Sequence, residues 1–134
     1  MGGEVFQKLI EEATEARLKA YAPYSNFTVG AAVMTEEGLI FTGCNIENAS
    51  LGLSICAERV AIQKAVSAGY KVFKALAIIS DTMNPCSPCG ACRQVMLEFS
   101  PDMEVIMTNL HQKIKITKAK ELLPDIFQGE NLKN

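Results

Sequence analysis

The chain has 134 residues, 49% hydrophobic and 21% charged, with a formal net charge of −2 at pH 7. That length closes one hydrophobic core, read here as a single domain over 1–134, without metal or disulfide staples. The weak net charge and the lack of any Lys/Arg run exclude the footprint of a nucleic-acid or acidic-membrane partner. No stretch approaches the roughly 20 apolar residues that a membrane helix needs, and the N-terminus lacks the apolar core of a signal peptide, so a cytoplasmic protein is expected. In that reducing setting, five cysteines read as thiols or metal ligands before they read as disulfides.

From Glu4 to Ala22, Val5, Phe6, Leu9, Ile10, Ala13, Ala16, Arg17 and Ala20 fall on one stripe at helical spacing, which predicts a helix ended before Pro23. Thr28 to Met34 is a β-type run, and Glu36-Glu37-Gly38 turns it into a second run, Leu39 to Thr42, as a hairpin. A polar loop spans Gly43 to Ser54. Cys56 to Ala68 has helical character and Gly69 is placed to end it. The nearly unbroken apolar run Lys74 to Ser80 predicts a buried strand, followed by a breaker-rich loop from Asp81 to Pro88. Helix returns from Cys89 to Phe99 and stops at Ser100-Pro101; Glu104 to Thr108 and Lys113 to Thr117 read as strands. A short helix near Lys118 to Leu122 and a polar surface tail from Gln128 to Asn134 complete the chain. The order implies an α/β fold, one mixed five-stranded sheet covered by helices, with some crossovers joining parallel neighbours.

Two clusters carry chemistry, Cys56-Ala57-Glu58-Arg59 and Pro88-Cys89-Gly90-Ala91-Cys92, each where a loop enters a helix. Cys89 and Cys92 stand at i, i+3, so both sulfurs share one face of a first turn and can grip one ion. Helix N-termini carry free N–H groups and partial positive charge, which favours thiolate over thiol. Three thiolates suit zinc, and three protein ligands leave the fourth tetrahedral position open to water. The plainer reading of an isolated Cys-x-x-Cys is a structural zinc half-site, which would need a fourth ligand from Cys44 or Cys86. His111 stands in a turn and reads as a solvated residue. Glu58 tips the balance. It sits two residues past Cys56, near the metal without binding it, where a carboxylate can take a proton from water, pass it to a ring nitrogen and protonate a departing amine. A Cys-x-Glu with a Pro-Cys-x-x-Cys is a pattern of zinc nucleobase deaminases.

At these residues the chain resembles the small homotetrameric cytidine deaminases of nucleoside salvage, over about Ala22 to Phe127. The resemblance extends to Pro23-Tyr24-Ser25-Asn26-Phe27, Val29-Gly30-Ala31-Ala32, Gly43-Cys44-Asn45-Ile46-Glu47-Asn48-Ala49, Ser87-Pro88 before Cys89, Arg93-Gln94 after Cys92, and Glu121-Leu122-Leu123-Pro124. It implies a three-layer α-β-α domain acting on cytidine and deoxycytidine, with one zinc per subunit held by Cys56, Cys89 and Cys92 and with Glu58 as proton shuttle. It further implies that Asn45 and Glu47 bind the ribose 3′-hydroxyl, that Phe27 lines the base pocket and that the Ala57 N–H meets the pyrimidine carbonyl. Phe127 resembles the aromatic that one subunit lends its neighbour, in a homotetramer without nucleic-acid or membrane partners. Arg59, three residues past Cys56 on the same face, is placed to hydrogen-bond a ligand sulfur. Leu51 stands where an aromatic is expected. A competing redox reading of Cys86-Ser87-Pro88-Cys89 as a disulfide motif gives no part to Cys56, Glu58 or Cys92.

Overall fold

A computed structural model describes residues 3–132. The elements run α1 (Gly3–Arg17), β1 (Val29–Thr35), β2 (Ile40–Cys44), α2 (Ala57–Ser67), β3 (Phe73–Ser80), α3 (Gly90–Phe99), β4 (Glu104–Asn109) and β5 (Ile114–Lys118). The five strands form one sheet in the order β2-β1-β3-β4-β5. β3 and β4 pair in parallel across the α3 crossover, and the other neighbouring pairs are antiparallel.

Strand periodicity sorts the core into two layers. Val29, Ala31 and Val33 of β1, Leu76 and Ile78 of β3, and Val105 and Met107 of β4 face α2 and α3, with Ala61, Ile62, Met96 and Leu97 among them. The intervening residues Ala32, Met34, Ala75, Ala77, Ile79 and Ile106 face the other way, onto Leu9 and Ala13 of α1. Each central strand is therefore apolar on both sides, which explains why β1 and β3 read as unbroken runs rather than as alternations. The result is the expected α-β-α sandwich around a mixed five-stranded sheet.

The connections set the site. β1 pairs antiparallel with both β2 and β3, so β2 and β3 run in the same direction. Each is followed by a helix that returns across the sheet, and both helices consequently start at the same sheet edge. α2 must approach β2 closely there. A Cβ on Gly43 would lie 2.4 Å from the Ala57 carbonyl oxygen and 2.6 Å from the Ala61 nitrogen, so only glycine lets the first turn of α2 settle on the strand. Gly43→Ala is expected to cost about 1–3 kcal/mol through backbone displacement and to lower activity as well, because the turn it pushes out carries Glu58. Calorimetric melting together with turnover measures both effects.

Three elements depart from the sequence expectation. α1 ends at Arg17 rather than running to Ala22, because the Tyr21 backbone is captured by the loop after β2: its N–H bonds to the Asn45 carbonyl at 3.0 Å and its carbonyl accepts from Glu47 N–H at 2.8 Å. That same loop pairs Ile46 with Ile55 and winds a 3-10 turn at Leu51–Leu53, so it is more structured than a polar loop. The short helix near Lys118 is a 3-10 turn, Ala119–Glu121, and a further one, Gly129–Leu132, lies in the tail. Lys133 and Asn134 of that tail, like Met1 and Gly2, lie outside the described residues.

Candidate active site

Cys56 is the N-cap of α2 and Cys89 the N-cap of α3, and neither side chain is spent on capping its helix. With both helices opening at one sheet edge, the sulfurs converge: Cys56 and Cys89 are 3.7 Å apart, Cys89 and Cys92 3.5 Å. All three lie within 4.8 Å of one another and form the one such metal-capable group among the described residues. Tetrahedral zinc with Zn–S bonds of about 2.3 Å holds its sulfurs roughly 3.8 Å apart, so the cluster has the spacing that zinc requires. Neither Cys44, at the end of β2, nor Cys86 belongs to it, so the group has three sulfurs where a closed four-cysteine site would have four. The redox reading fails as well. The Cys89 sulfur contacts Cys56 and Cys92, which draws it into the three-sulfur group, and burial pushes the Cys86 thiol up to about 12, with the charges of Glu58 and Cys56 adding to it.

The cluster lowers the pKa of Cys56. Its thiol falls to about 5, chiefly through a hydrogen bond from Cys92, with Arg59 and Cys89 contributing. The Arg59 guanidinium donates to the Cys56 sulfur at 3.5 Å, the contact that its place on α2 predicts. Glu58 sits in the first turn of the same helix, 3% exposed. Burial, reinforced by the negative charge on Cys56, raises its carboxyl to about 7. A carboxyl that exchanges its proton near neutral pH suits general acid–base work.

A cleft of about 260 Å³ opens over this cluster, lined by Phe27, Asn45, Glu47, Ala57 and Glu58 together with Cys56 and Cys89. All the site residues expected from sequence line it except Cys92, which is buried within the cluster, Arg59, which donates to the Cys56 sulfur, and Phe127. The Phe127 ring is 60% exposed and faces a separate groove beside Gln94 and Pro101. Its neighbour Ile126 is the residue that packs on the core.

The Tyr24–Val29 segment presents Phe27 to the cleft through a left-handed turn at Asn26, φ 59°. Asn45 and Glu47 hold that segment in place. The Asn45 side chain accepts from Val29 N–H at 2.8 Å and donates to the Phe27 carbonyl at 2.7 Å, pinning the backbone immediately after the ring. Glu47 accepts from the N–H groups of Tyr24 and Ser25, 3.0 and 3.2 Å, and from the Ser25 hydroxyl. These bonds keep its carboxyl below the usual carboxylate range, the Ser25 hydroxyl foremost. Ser25 also accepts from Phe27 N–H at 3.0 Å, a linking role that sequence reasoning missed although its motif was in view. Val29, Ile55, Ile78 and Cys86 supply apolar wall, and only their positions in the folded sheet reveal it. Leu51 is 77% exposed and stays clear of the cleft.

A family model described as the cytidine and deoxycytidylate deaminase zinc-binding region matches residues 4–108. The cytidine deaminase of Sporosarcina psychrophila is 53% identical over 127 residues, covering 94% of this chain and 93% of that protein. That of Halalkalibacterium halodurans is 50% identical over 127 residues, 94% and 96% of the two chains. The crystal structure of cytidine deaminase from Burkholderia pseudomallei superposes with a TM-score of 0.89 at 52% identity, covering 95% of this chain and all of that one, 100%. Both cysteine motifs fall inside the matched region and the relatives span nearly the whole chain, so it belongs to the cytidine and deoxycytidylate deaminase family of zinc-dependent hydrolytic enzymes.

Proposed function

We propose that this chain hydrolyses cytidine, and deoxycytidine, to uridine or deoxyuridine and ammonia, in cytoplasmic pyrimidine salvage, as a homotetramer with one zinc per subunit. The observation that carries this reading is a buried carboxyl, Glu58, beside three sulfurs at zinc spacing on the floor of a cleft that also holds an aromatic ring, an amide and a carboxylate.

Cys56, Cys89 and Cys92 would hold the zinc, which when bound supplies Lewis-acid activation of a water in its open fourth position. Glu58 moves the protons. It takes one from the attacking water and gives it to ring nitrogen N3 as the new C4–O bond forms, then takes the remaining proton from the C4 hydroxyl and gives it to the amine, so that the C4–N bond breaks, C4=O forms and ammonia leaves. Arg59 donates to the Cys56 sulfur and offsets the surplus negative charge of three thiolates on a divalent ion. Ala57, in the first turn of α2 where N–H groups have no intrahelical acceptor, offers its N–H to the pyrimidine carbonyl. Phe27 packs on the base, and Asn45 and Glu47 take the 3′-hydroxyl. Recognition there leaves the 2′ position unread, which is why deoxycytidine is included. Phe127, exposed and outside its own cleft, completes the neighbouring subunit's base pocket, where a stacked ring contributes on the order of 1–3 kcal/mol.

A nucleoside is favoured over a nucleotide because no Lys or Arg is among the described residues that line the cleft, so a 5′-phosphate would find no counter-charge there. Ammonia release from cytidine, deoxycytidine, deoxycytidylate and adenosine tests the reading. The two nucleosides of cytosine should be consumed with similar efficiency, and a preference for deoxycytidylate or adenosine would overturn it.

A further inference from the structure

The residues that follow Cys92 on α3 have no part in the chemistry above, yet they make the bonds that hold the C-terminal segment. Arg93 donates from Nη1 to the Leu122 carbonyl at 2.8 Å, from Nε to the Pro88 carbonyl at 2.8 Å and from Nη2 to the Ser87 hydroxyl at 2.7 Å. Gln94 donates from Nε2 to the Phe127 carbonyl at 2.8 Å. Between those two anchored carbonyls the chain has no strand or helix; Leu123 and Ile126 pack on the core, and Phe127 lies just beyond them. The chain turns through Pro124 and a left-handed Asp125, φ 52°, and then carries a ring that is 60% exposed.

We propose that Gln94 is a positioning residue for the neighbouring subunit's active site: it anchors the Phe127 backbone, with Arg93 anchoring Leu122, so that the exposed ring is held in the pose in which it is lent. This rests on the reading that Phe127 completes a neighbour's pocket. α3 is then a two-sided scaffold. Its first turn carries Cys89 and Cys92 for its own subunit, and its next residues orient the ring for another.

The fold has little need of the Gln94 bond. It is exposed, so water can satisfy both groups when it is broken, and such a bond adds little net stability. Orientation is a different matter, since a displacement of about 1 Å of a positioning group can cost up to ~10²-fold in rate. A ring that stacks on bound substrate as well as on the transition state acts mainly through KM. The Gln94 side chain thus has a functional consequence much larger than its structural one.

The test uses zinc-loaded oligomers of Gln94→Ala and of Gln94→Met, which keeps the length of the side chain but donates no hydrogen bond. With zinc content and melting temperature unchanged, KM for cytidine should rise roughly five- to tenfold, the lower range for losing a stacked ring, with kcat nearly constant. Gln94→Ala/Phe127→Ala should be no worse than Phe127→Ala, since both remove one interaction. The decisive arm mixes subunits. Gln94→Ala chains dissociated and reassembled with an excess of Glu58→Ala chains, whose Gln94 and Phe127 are intact, should regain the wild-type KM at their own sites, and Phe127→Ala chains treated likewise should do the same. Rescue of Phe127→Ala without rescue of Gln94→Ala would place the Gln94 effect within its own chain and overturn the proposal while the shared pocket stands. Failure to rescue Phe127→Ala, with mixing demonstrated, would remove the shared pocket and the proposal with it. A wild-type KM in both Gln94 variants would overturn the proposal alone.

Discussion

Glu58→Gln is expected to lower kcat for cytidine by about 10²–10⁴-fold, the range assigned to a general acid–base group, while zinc content and fold are retained. The amide fills the same 3%-exposed space and removes only the proton exchange. The environment of Glu58 is what makes the loss large. Burial and the neighbouring Cys56 charge bring its carboxyl to about 7, so in the wild type one group can accept and return a proton within a single turnover. The second carboxylate in the cleft, Glu47, is engaged by the N–H groups of Tyr24 and Ser25 and by the Ser25 hydroxyl, and it lies on the loop after β2 rather than beside Cys56 on α2. Steady-state kinetics combined with metal analysis checks this. Near-wild-type turnover by a zinc-loaded Glu58→Gln enzyme would end the proton-shuttle role.

Cys89→Ala is expected to abolish zinc binding and with it activity, by roughly 10³-fold or more, because a water loses its lowered pKa when the metal is gone. The chain should nevertheless stay folded. Cys89 is exposed at the mouth of α3, and the two apolar layers on either side of the sheet, built on residues such as Leu9, Leu76, Ile78 and Ile106, do not include it. Circular dichroism should therefore show the wild-type helix and strand content. Cys44→Ser serves as the opposite control. Its sulfur is outside the cluster, and the variant should keep both zinc and turnover; loss of zinc on that substitution would restore the four-ligand structural site.

Much of the chemistry was legible in the sequence because it is local. Cys89 and Cys92 share a helical turn by spacing alone, Cys56 and Glu58 share another, and Arg59 reaches Cys56 across the i, i+3 face. The elements were legible for the same reason, as hydrophobic periods of two and 3.6 report which face each segment buries. Boundaries were lost where a distant segment competes for the backbone. Ala20 carries the apolar stripe onward, yet Tyr21 leaves the helix because the loop at Asn45 and Glu47 binds both of its backbone groups.

The sequence by itself specified the sheet-forming runs, the Cys89–Cys92 pair and the turn that holds Cys56 beside Glu58, since each depends on neighbours within one turn or one strand. It could not specify that the two cysteine clusters meet. That follows from β1 lying between β2 and β3 and pairing antiparallel with each, which makes β2 and β3 parallel and brings both helix starts to one edge. Nor could it specify that Asn45 and Glu47 hold the Phe27 segment, or that Gln94 grips Phe127, because these bonds join residues 16 to 33 positions apart. A hydrogen bond acts over about 3 Å, and only the packing of the sheet and its helices brings such partners within that reach.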